Sequence, residues 1–265
     1  MSAENEFKLR KIVIAGGGTA GWMAAAALSK TLGELVDIKL IESEQIGTVG
    51  VGEATIPPII TFHRMLDIPE NEFMRETQAT FKLGISFENW RVDGEKYIHS
   101  FGTTGKDHWT SGFQHFWLNG LKRGHKTSYD DYCLELKAAL NNKFSHLPNE
   151  GMSYAFHLDS SRYAKFLRRF SEKNGVERVE GKINKVNLNG ETGFISSLDI
   201  DDGTTLEGDI FIDCTGFRGL LIGEALGVEF EDWTNHLPCN GAIRSEEHTS
   251  ELQSLTNLVC RLLLE

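Results

Sequence analysis

The chain has 265 residues, 40% hydrophobic and 25% charged, a composition typical of a globular protein with an ample core. Its formal net charge of −11 argues against nucleic acid or an anionic membrane as a partner. The four cysteines are scattered without a Cys-x-x-Cys pair, and we find neither a signal peptide nor an apolar run of about 20 residues, so we expect a reduced, cytoplasmic protein without a membrane span.

The first predicted elements are an apolar strand, 12–15, a glycine-rich loop and a helix. Gly16, Gly18 and Gly21 have the Gly-x-Gly-x-x-Gly spacing, which allows a tight turn, backbone approach to a pyrophosphate and close packing of helix on strand. A second strand ends at Glu42, 21 residues beyond Gly21, where a partner for a ribose hydroxyl is expected. This order predicts a dinucleotide site; a tight strand–helix turn without a ligand is the alternative.

The next two segments are a glycine-rich loop and a strand with a lysine. Residues 45–58 end in two prolines and are apolar between their glycines, which is typical of an ordered loop that lies against a flat surface. Residues 80–90 alternate apolar and polar side chains, a period that predicts one strand. Lys82 lies on the polar face of this strand, so its spacing alone predicts a solvated lysine.

Residues 97–125 are rich in aromatic side chains and histidine. A metal site is not predicted, because no two histidines have the His-x-x-x-His spacing and no His-Glu-x-x-His motif is present. An aromatic-lined pocket and ordinary core packing both remain open for this region.

The second half of the chain predicts a helix, a meander and a second strand–turn–helix unit. Residues 160–170 form an amphipathic pattern that Asp159 or Ser160 would cap, and residues 175–207 predict a series of short strands. A buried strand then delivers Asp213 and Gly216 into a turn before a helix at Leu220. Open α/β sheets bind ligands at this end of their strands, although a capped strand–helix junction is the alternative.

The last segment, residues 244–265, differs in character from the rest of the chain. It resembles a translated sequencing adapter, so we expect it to be a non-native tail. A genuine amphipathic C-terminal helix is the alternative, since its leucines have helical spacing.

Four blocks together resemble the N-terminal half of a flavin-dependent tryptophan halogenase. They occur in the order found in that family and span essentially residues 8–242. The blocks are Gly16-Gly-Gly-Thr-Ala-Gly-Trp-Met-Ala24, Val51-Gly-Glu-Ala-Thr-Ile-Pro57, Phe81-Lys-Leu-Gly-Ile85 and Phe211-Ile-Asp-Cys-Thr-Gly-Phe-Arg218.

The resemblance implies an α/β fold of the Rossmann-like FAD-binding type, with a parallel sheet, helices and a β-meander, and with an inserted helical and aromatic substrate-side region at about 57–155. Residues 1–243 would be the FAD-binding halogenase module. Lys82 would be the catalytic lysine, and His99 and Phe101 would contact the aromatic substrate. The implied FAD contacts are Gly16, Gly18, Thr19, Ala20 and Gly21 at the pyrophosphate, Glu42 at the ribose, Gly50, Gly52, Glu53, Ala54 and Thr55 along the isoalloxazine, Val179 near the adenine, and Asp213 and Gly216 in a second FAD motif.

The reaction implied by the resemblance halogenates an electron-rich aromatic compound such as tryptophan or an indole. A separate NAD(P)H flavin reductase would supply FADH2, and oxygen and chloride or bromide would be the co-substrates. Hypohalous acid would pass through a tunnel to Lys82, whose amine would hydrogen-bond it or form a haloamine. A lysine suits this role because it combines a flexible stem with a pKa that burial lowers.

The chain departs from the family in what it lacks. The Trp-x-Trp-x-Ile-Pro signature is absent, and the family's catalytic glutamate and Thr-Gly halide pair lie beyond the position of residue 265. We therefore expect a truncated module that is inactive by itself. The alternatives are a flavin-dependent aromatic monooxygenase, a truncated flavin-binding fragment without turnover and, with the least support, a nicotinamide dehydrogenase.

Overall fold

The structure, a computed structural model, describes residues 9–46, 54–146 and 151–238. The described chain divides into two compact units. The first comprises residues 9–46, 62–79 and 158–231, and the second comprises residues 54–61, 80–146, 151–157 and 232–238. The tail predicted to be non-native, 244–265, lies outside the described residues.

Strands and helices alternate along much of the chain. The strands are β1 Lys11–Ala15, β2 Asp37–Glu42, β3 Thr80–Lys82, β4 Gly84–Glu88, β5 Lys96–Ser100, β6 Ala155–His157, β7 Glu177–Glu180, β8 Ile183–Leu188, β9 Ile195–Ile200, β10 Thr205–Glu207 and β11 Ile210–Asp213. The α-helices are α1 Thr19–Leu32, α2 Pro58–Met65, α3 Glu70–Thr77, α4 Phe113–Lys122, α5 Leu134–Leu140 and α6 Ser160–Lys173, and a π-helix spans Leu220–Ala225. Within the described ranges, we find no helix with the length and apolar character that crossing a bilayer requires.

A parallel sheet in the order β11-β1-β2-β7 forms the centre of the first unit. Ile14 of β1 lies between Ile212 of β11 and Leu40 of β2, and Ile14 and Leu40 are fully buried. Parallel register brings the carboxyl ends of β1, β2 and β11 to one edge. The predicted Rossmann-like parallel sheet is confirmed. The glycine loop, Glu42 and Asp213 lie at the edge where open sheets of this kind bind ligands.

Two long helices of the first unit pack against each other through their apolar faces. Helix α1 buries Trp22 and Ala25, and α6 buries Tyr163 and Leu167. The predicted amphipathic helix at 160–170 is thus confirmed, and it continues to Lys173. Its N-terminus is capped as expected, because the Asp159 carboxylate accepts a hydrogen bond from the Arg162 N–H at 2.9 Å.

Three of the four strands predicted as a meander over residues 175–207 form an antiparallel sheet in the order β10-β9-β8. The first of the four, β7, instead pairs in parallel with β2 and belongs to the central sheet. The antiparallel sheet belongs to the core of the first unit: Leu198, Ile200 and Leu206 are buried in one hydrophobic cluster with Val13 and Ile41 of the parallel sheet. This packing supports the strands whose ends form the candidate ligand edge.

In the second unit, residues 80–90 form two strands, so the prediction of one continuous strand is wrong. The chain forms β3, which pairs with β6, and then β4, which pairs with β5. The division falls at Leu83. Directly after it the backbone of β4 approaches β5 so closely that a Cβ on Gly84 would lie 2.6 Å from the His99 carbonyl oxygen. The prediction that Lys82 is solvated is also wrong, because only 8% of this residue is exposed.

Candidate functional site

The glycine loop after β1 is held tightly by its neighbours. The Gly16 N–H donates to the Ile41 carbonyl at 2.9 Å, and Gly16 has a φ of +107°, which strongly favours glycine. A Cβ on Gly21 would lie 1.8 Å from the Gly16 carbonyl oxygen. The tight turn and the close helix approach predicted for these two glycines are therefore present.

Gly18 differs from these glycines because it faces open space. No heavy atom lies within 4 Å of the position that its Cβ would take, and it precedes α1 in an extended conformation. Helix α1 begins at Thr19, inside the Gly-x-Gly-x-x-Gly motif, and has no side-chain cap. Thr19, Ala20 and Gly21 form its first turn, so an uncapped helix N-terminus opens beside the space at Gly18. This arrangement suits the pyrophosphate of a dinucleotide such as FAD.

Glu42, the predicted ribose ligand, lies at the end of β2 and is already engaged by the first unit. One carboxylate oxygen accepts from the Arg178 Nε at 2.5 Å, and the other accepts from the indole N–H of Trp22 at 3.1 Å. Arg168 on α6 approaches the same carboxylate at 3.5 Å. Sequence reasoning missed these three partners, since their pairing depends on the packing of α1, α6 and β7 around one strand end.

The Glu42 carboxylate also lies directly against the glycine loop. A Cβ on Gly17 would come within 1.7 Å of one of its oxygens, so only glycine leaves room for the acid there. Val179 of β7, the predicted adenine contact, lies opposite Ile41 of β2 and packs against the hydrophobic core cluster of the first unit. A ribose role for Glu42 and an adenine role for Val179 stay predictions.

Asp213 forms the capped strand–helix junction that was the alternative for this motif. One carboxylate oxygen accepts from the Thr215 N–H at 3.0 Å and the Thr215 hydroxyl at 2.6 Å; the other accepts from the N–H groups of Leu221 and Ile222 at 2.7 and 2.9 Å. Burial alone would raise the pKa of Asp213, but these hydrogen bonds outweigh it and lower the pKa. Gly216 has a φ of +71° and faces open space, and a flavin role for either residue stays a prediction.

Lys82 is the central residue of the second unit's candidate site. Its Nζ donates to the Thr55 carbonyl at 3.0 Å and lies 5.4 Å from the centroid of the Phe101 ring. Burial lowers the pKa of Lys82. The Phe101 N–H in turn donates to the Leu83 carbonyl at 2.9 Å. The backbone of Phe101 is therefore tied to the residue that directly follows Lys82.

The structure brings Lys82, Phe101 and Thr55 together, and it shows no side-chain contact between His99 and any of them among the described residues. His99 lies on β5 opposite Ile85, is exposed, and makes no side-chain hydrogen bond or ring contact within the described residues. Ala54 is exposed and forms an isolated bridge with His157. The predicted flavin contacts Gly50, Gly52 and Glu53 lie outside the described residues.

The aromatic region at 97–125 is partly packed and partly exposed. Phe113 lies 4.9 Å from Tyr132 and Trp117 lies 5.1 Å from Tyr129, measured between ring centroids, whereas Trp109 is 89% exposed. In the part of the chain that the structure describes, no group of three or more His, Cys, Asp or Glu residues is arranged to hold a metal ion.

The chain matches one protein family along nearly its whole length. The family model for tryptophan halogenase matches residues 11–260. Tryptophan 7-halogenase RebH of Lentzea aerocolonigenes is 40% identical over 258 residues, which cover 90% of this chain and 48% of the relative. Tryptophan 6-halogenase ThaL of Streptomyces albogriseolus is 38% identical over 257 residues, with 89% and 48% coverage.

Solved structures give the same result. A flavin-dependent halogenase from Xanthomonas campestris is 62% identical, with a TM-score of 0.82 over 86% of this chain and 46% of that chain. BrvH, a flavin-dependent halogenase from Brevundimonas sp. BAL3, is 44% identical, with a TM-score of 0.80 over 88% of this chain and 48% of that chain. The chain thus spans about half the length of the relatives that it matches.

Proposed function

Because the chain belongs to the tryptophan halogenase family, we propose that it is the flavin-binding, lysine-bearing half of a flavin-dependent halogenase that acts on tryptophan or another electron-rich aromatic compound. The observation that carries this proposal is the environment of Lys82. The Lys82 residue is buried, its Nζ donates to the Thr55 carbonyl, and the Phe101 ring lies beside it. A structural lysine on a sheet face would instead extend its ammonium into water.

The residues of the first unit would hold FAD. The open space at Gly18 and the uncapped start of α1 suit the pyrophosphate, and Glu42 is placed at the strand end where a ribose would lie. Bound reduced FAD would supply the activation of oxygen that converts chloride or bromide into hypohalous acid. A separate NAD(P)H-dependent flavin reductase would supply the reduced cofactor.

Lys82 would direct the halogen at the aromatic substrate. Its Nζ would either donate a hydrogen bond to the hypohalous acid or, as the neutral amine, form a haloamine with release of water. The haloamine would pass the halogen to the ring carbon, and the ring would lose its proton. The lowered pKa of Lys82 favours the second course, since it increases the fraction of neutral amine.

The 265 residues by themselves have a second candidate function, a flavin-binding segment without turnover. It is favoured by the coverage of 48% of the curated relatives, whose full length carries the named activities. A flavin-dependent aromatic monooxygenase shares the glycine loop but gives no reason for a buried lysine beside Phe101.

The test compares the 265-residue chain with the product of the gene sequenced past codon 243. Each protein is incubated with a flavin reductase, NADH, FAD, bromide and a panel of indoles, and products are identified by mass spectrometry. We expect FAD binding by both proteins and a brominated indole from the longer one. Lys82→Ala should abolish the product, and Lys122→Ala, an exposed lysine of the same unit, should not. A hydroxylated product without bromine, or bromination that survives Lys82→Ala, would contradict the proposal.

A further inference from the structure

Thr55, whose carbonyl accepts the hydrogen bond from Lys82, is itself anchored to strand β6. Thr55 makes three hydrogen bonds to Phe156 on β6: its N–H donates to the Phe156 carbonyl at 2.9 Å, its hydroxyl donates to the same carbonyl at 3.0 Å, and the Phe156 N–H donates to its hydroxyl oxygen at 3.0 Å. The hydroxyl thus takes part in two of the three bonds. The remaining polar group of Thr55, its carbonyl, accepts from the Lys82 Nζ at 3.0 Å.

Strand β6 is bonded both to the strand that carries Lys82 and to the segment that carries Thr55. It pairs with β3 through Lys82 opposite Ala155 and Phe81 opposite Phe156, while residues 54–55 bond to β6 separately. The backbone of Lys82 and the carbonyl that holds its amine are therefore fixed to the same short strand. Ala155 is fully buried and shares a sheet face with Lys82, so its small side chain leaves room for the lysine stem.

We propose that Thr55 is the positioning residue for Lys82, and that its hydroxyl, by locking the chain to Phe156, fixes the carbonyl that holds the lysine amine. This inference rests on the proposed function, because it gives Lys82 the reacting role. Thr55 does not need to contact the substrate or the halogenating species. Its side chain acts through the backbone, which distinguishes this role from the flavin contact that the sequence suggested for the same residue.

If the Thr55 hydroxyl fixes this carbonyl, two conservative substitutions of Thr55 should differ in how firmly the Lys82 amine is held. Thr55→Ser keeps the hydroxyl and both of its hydrogen bonds. Thr55→Val keeps the shape but removes both bonds and leaves the Phe156 N–H without this acceptor. Only the second change should release the carbonyl from its position and loosen the hold on the Lys82 amine.

The experiment measures the reactivity of the Lys82 amine in the 265-residue chain. The protein is pulse-labelled with acetic anhydride between pH 6 and 11, and the labelled fraction of each lysine is read by peptide mass spectrometry. The midpoint of the pH profile gives the pKa, and the plateau gives accessibility. Lys122, which is exposed, is the internal reference. Native Lys82 should show a lower plateau than Lys122, and a midpoint below the ordinary pKa of a lysine.

In Thr55→Val we expect the Lys82 plateau to rise about fivefold, the factor that corresponds to one net hydrogen bond, and the midpoint to move towards the ordinary pKa of a lysine. Thr55→Ser should retain the native profile, and so should Thr61→Val, the same substitution at an exposed threonine of this unit. If Thr55→Val does not fold, Thr55→Ala removes the same hydroxyl and carries the same expectation.

Two results would overturn the inference: an unchanged Lys82 profile in a folded variant without the hydroxyl, or the same altered profile in Thr55→Ser. Because labelling needs neither flavin nor halide, its outcome is independent of the proposed function. A profile that follows the hydroxyl in a protein whose longer form makes no halogenated product would retain the positioning role and refute the halogenase. If instead the longer form halogenates indoles but the Lys82 profile does not change in Thr55→Val, the halogenase function would stand and the positioning role of Thr55 would be refuted.

Discussion

The Nε2 of His63 and the hydroxyl of Tyr163 are hydrogen-bonded at 2.9 Å in the interior of the first unit. His63 is 5% exposed and Tyr163 is 1% exposed, and the His63 ring lies 4.3 Å from that of Phe73 between centroids. Burial lowers the pKa of His63 to about 4 and raises the pKa of Tyr163. Both side chains are therefore neutral in the folded protein at neutral pH.

This pair predicts that stability declines on acidification through the histidine range. The unfolded chain binds a proton at His63 near pH 6.5, whereas the folded chain binds it only near pH 4, so the unfolded state takes up more protons between these values. The contribution of His63 is complete above pH 6.5 and is lost as the pH falls to about 4. The difference amounts to about 3 kcal/mol of unfolding free energy.

Urea denaturation between pH 4 and pH 7.5 measures this loss. The native chain should lose stability across the interval, and His63→Gln should show a shallower decline because residue 63 no longer titrates. His125→Gln, at an exposed histidine, should follow the native curve. If His63→Gln declines as steeply as the native chain, another group is responsible.

A second prediction compares two ion pairs that join the same strands, β2 and β7. Arg178 and Glu42 are 14% and 17% exposed, whereas Lys39 and Glu177 are 38% and 59% exposed at 3.0 Å. Arg178→Gln should cost about 1–3 kcal/mol, because it leaves a half-buried carboxylate with fewer partners. Lys39→Gln should cost less than about 0.5 kcal/mol. Equal losses in urea denaturation at 0.1 M salt would show that burial does not strengthen the first pair.

Parts of the fold with local periodicity were predictable, and contacts set by distant partners were not. The helix at 160–170 and its Asp159 cap are properties of one segment, and they are confirmed. The division of residues 80–90 depends instead on β6, which lies more than 70 residues further along the chain. Lys82 alternates like a surface residue, but pairing with Ala155 places it in a buried position that alternation does not reveal.

The candidate site shows the same contrast. The glycine spacing specified the loop around Gly16 and Gly21, because a φ of +107° and a close helix approach are local requirements. The sequence pattern at Asp213 was compatible with a ligand-binding residue and with a helix cap. Only the position of the π-helix shows that the Asp213 carboxylate accepts from the backbone N–H groups of Leu221 and Ile222. The partners of Glu42 likewise come from α1, α6 and β7.

The cap gives a third prediction. Asp213→Asn keeps the size of the side chain but replaces one acceptor oxygen with a donor group that faces N–H donors. We expect a loss of about 1–2 kcal/mol at pH 7, measured by thermal or urea unfolding. Asp37→Asn, at an exposed strand residue, is the matched control and should change stability by less than about 0.5 kcal/mol. An Asp213→Asn protein as stable as the native chain would mean that the cap contributes nothing measurable.

The last prediction separates folding from cofactor binding at the glycine loop. A methyl group on Gly18 meets no protein atom within 4 Å, and the φ of −69° suits alanine, so Gly18→Ala should fold with native stability. The methyl would, however, occupy the space beside the α1 N-terminus that suits the pyrophosphate. We therefore expect FAD affinity, measured by titration of flavin fluorescence with the 265-residue chain, to fall by about tenfold or more, a loss of about 1.4 kcal/mol. Gly190→Ala, which also meets no atom within 4 Å but lies in the β8–β9 connection, should bind FAD normally. A folded Gly18→Ala protein with native FAD affinity would show that this loop does not hold the cofactor.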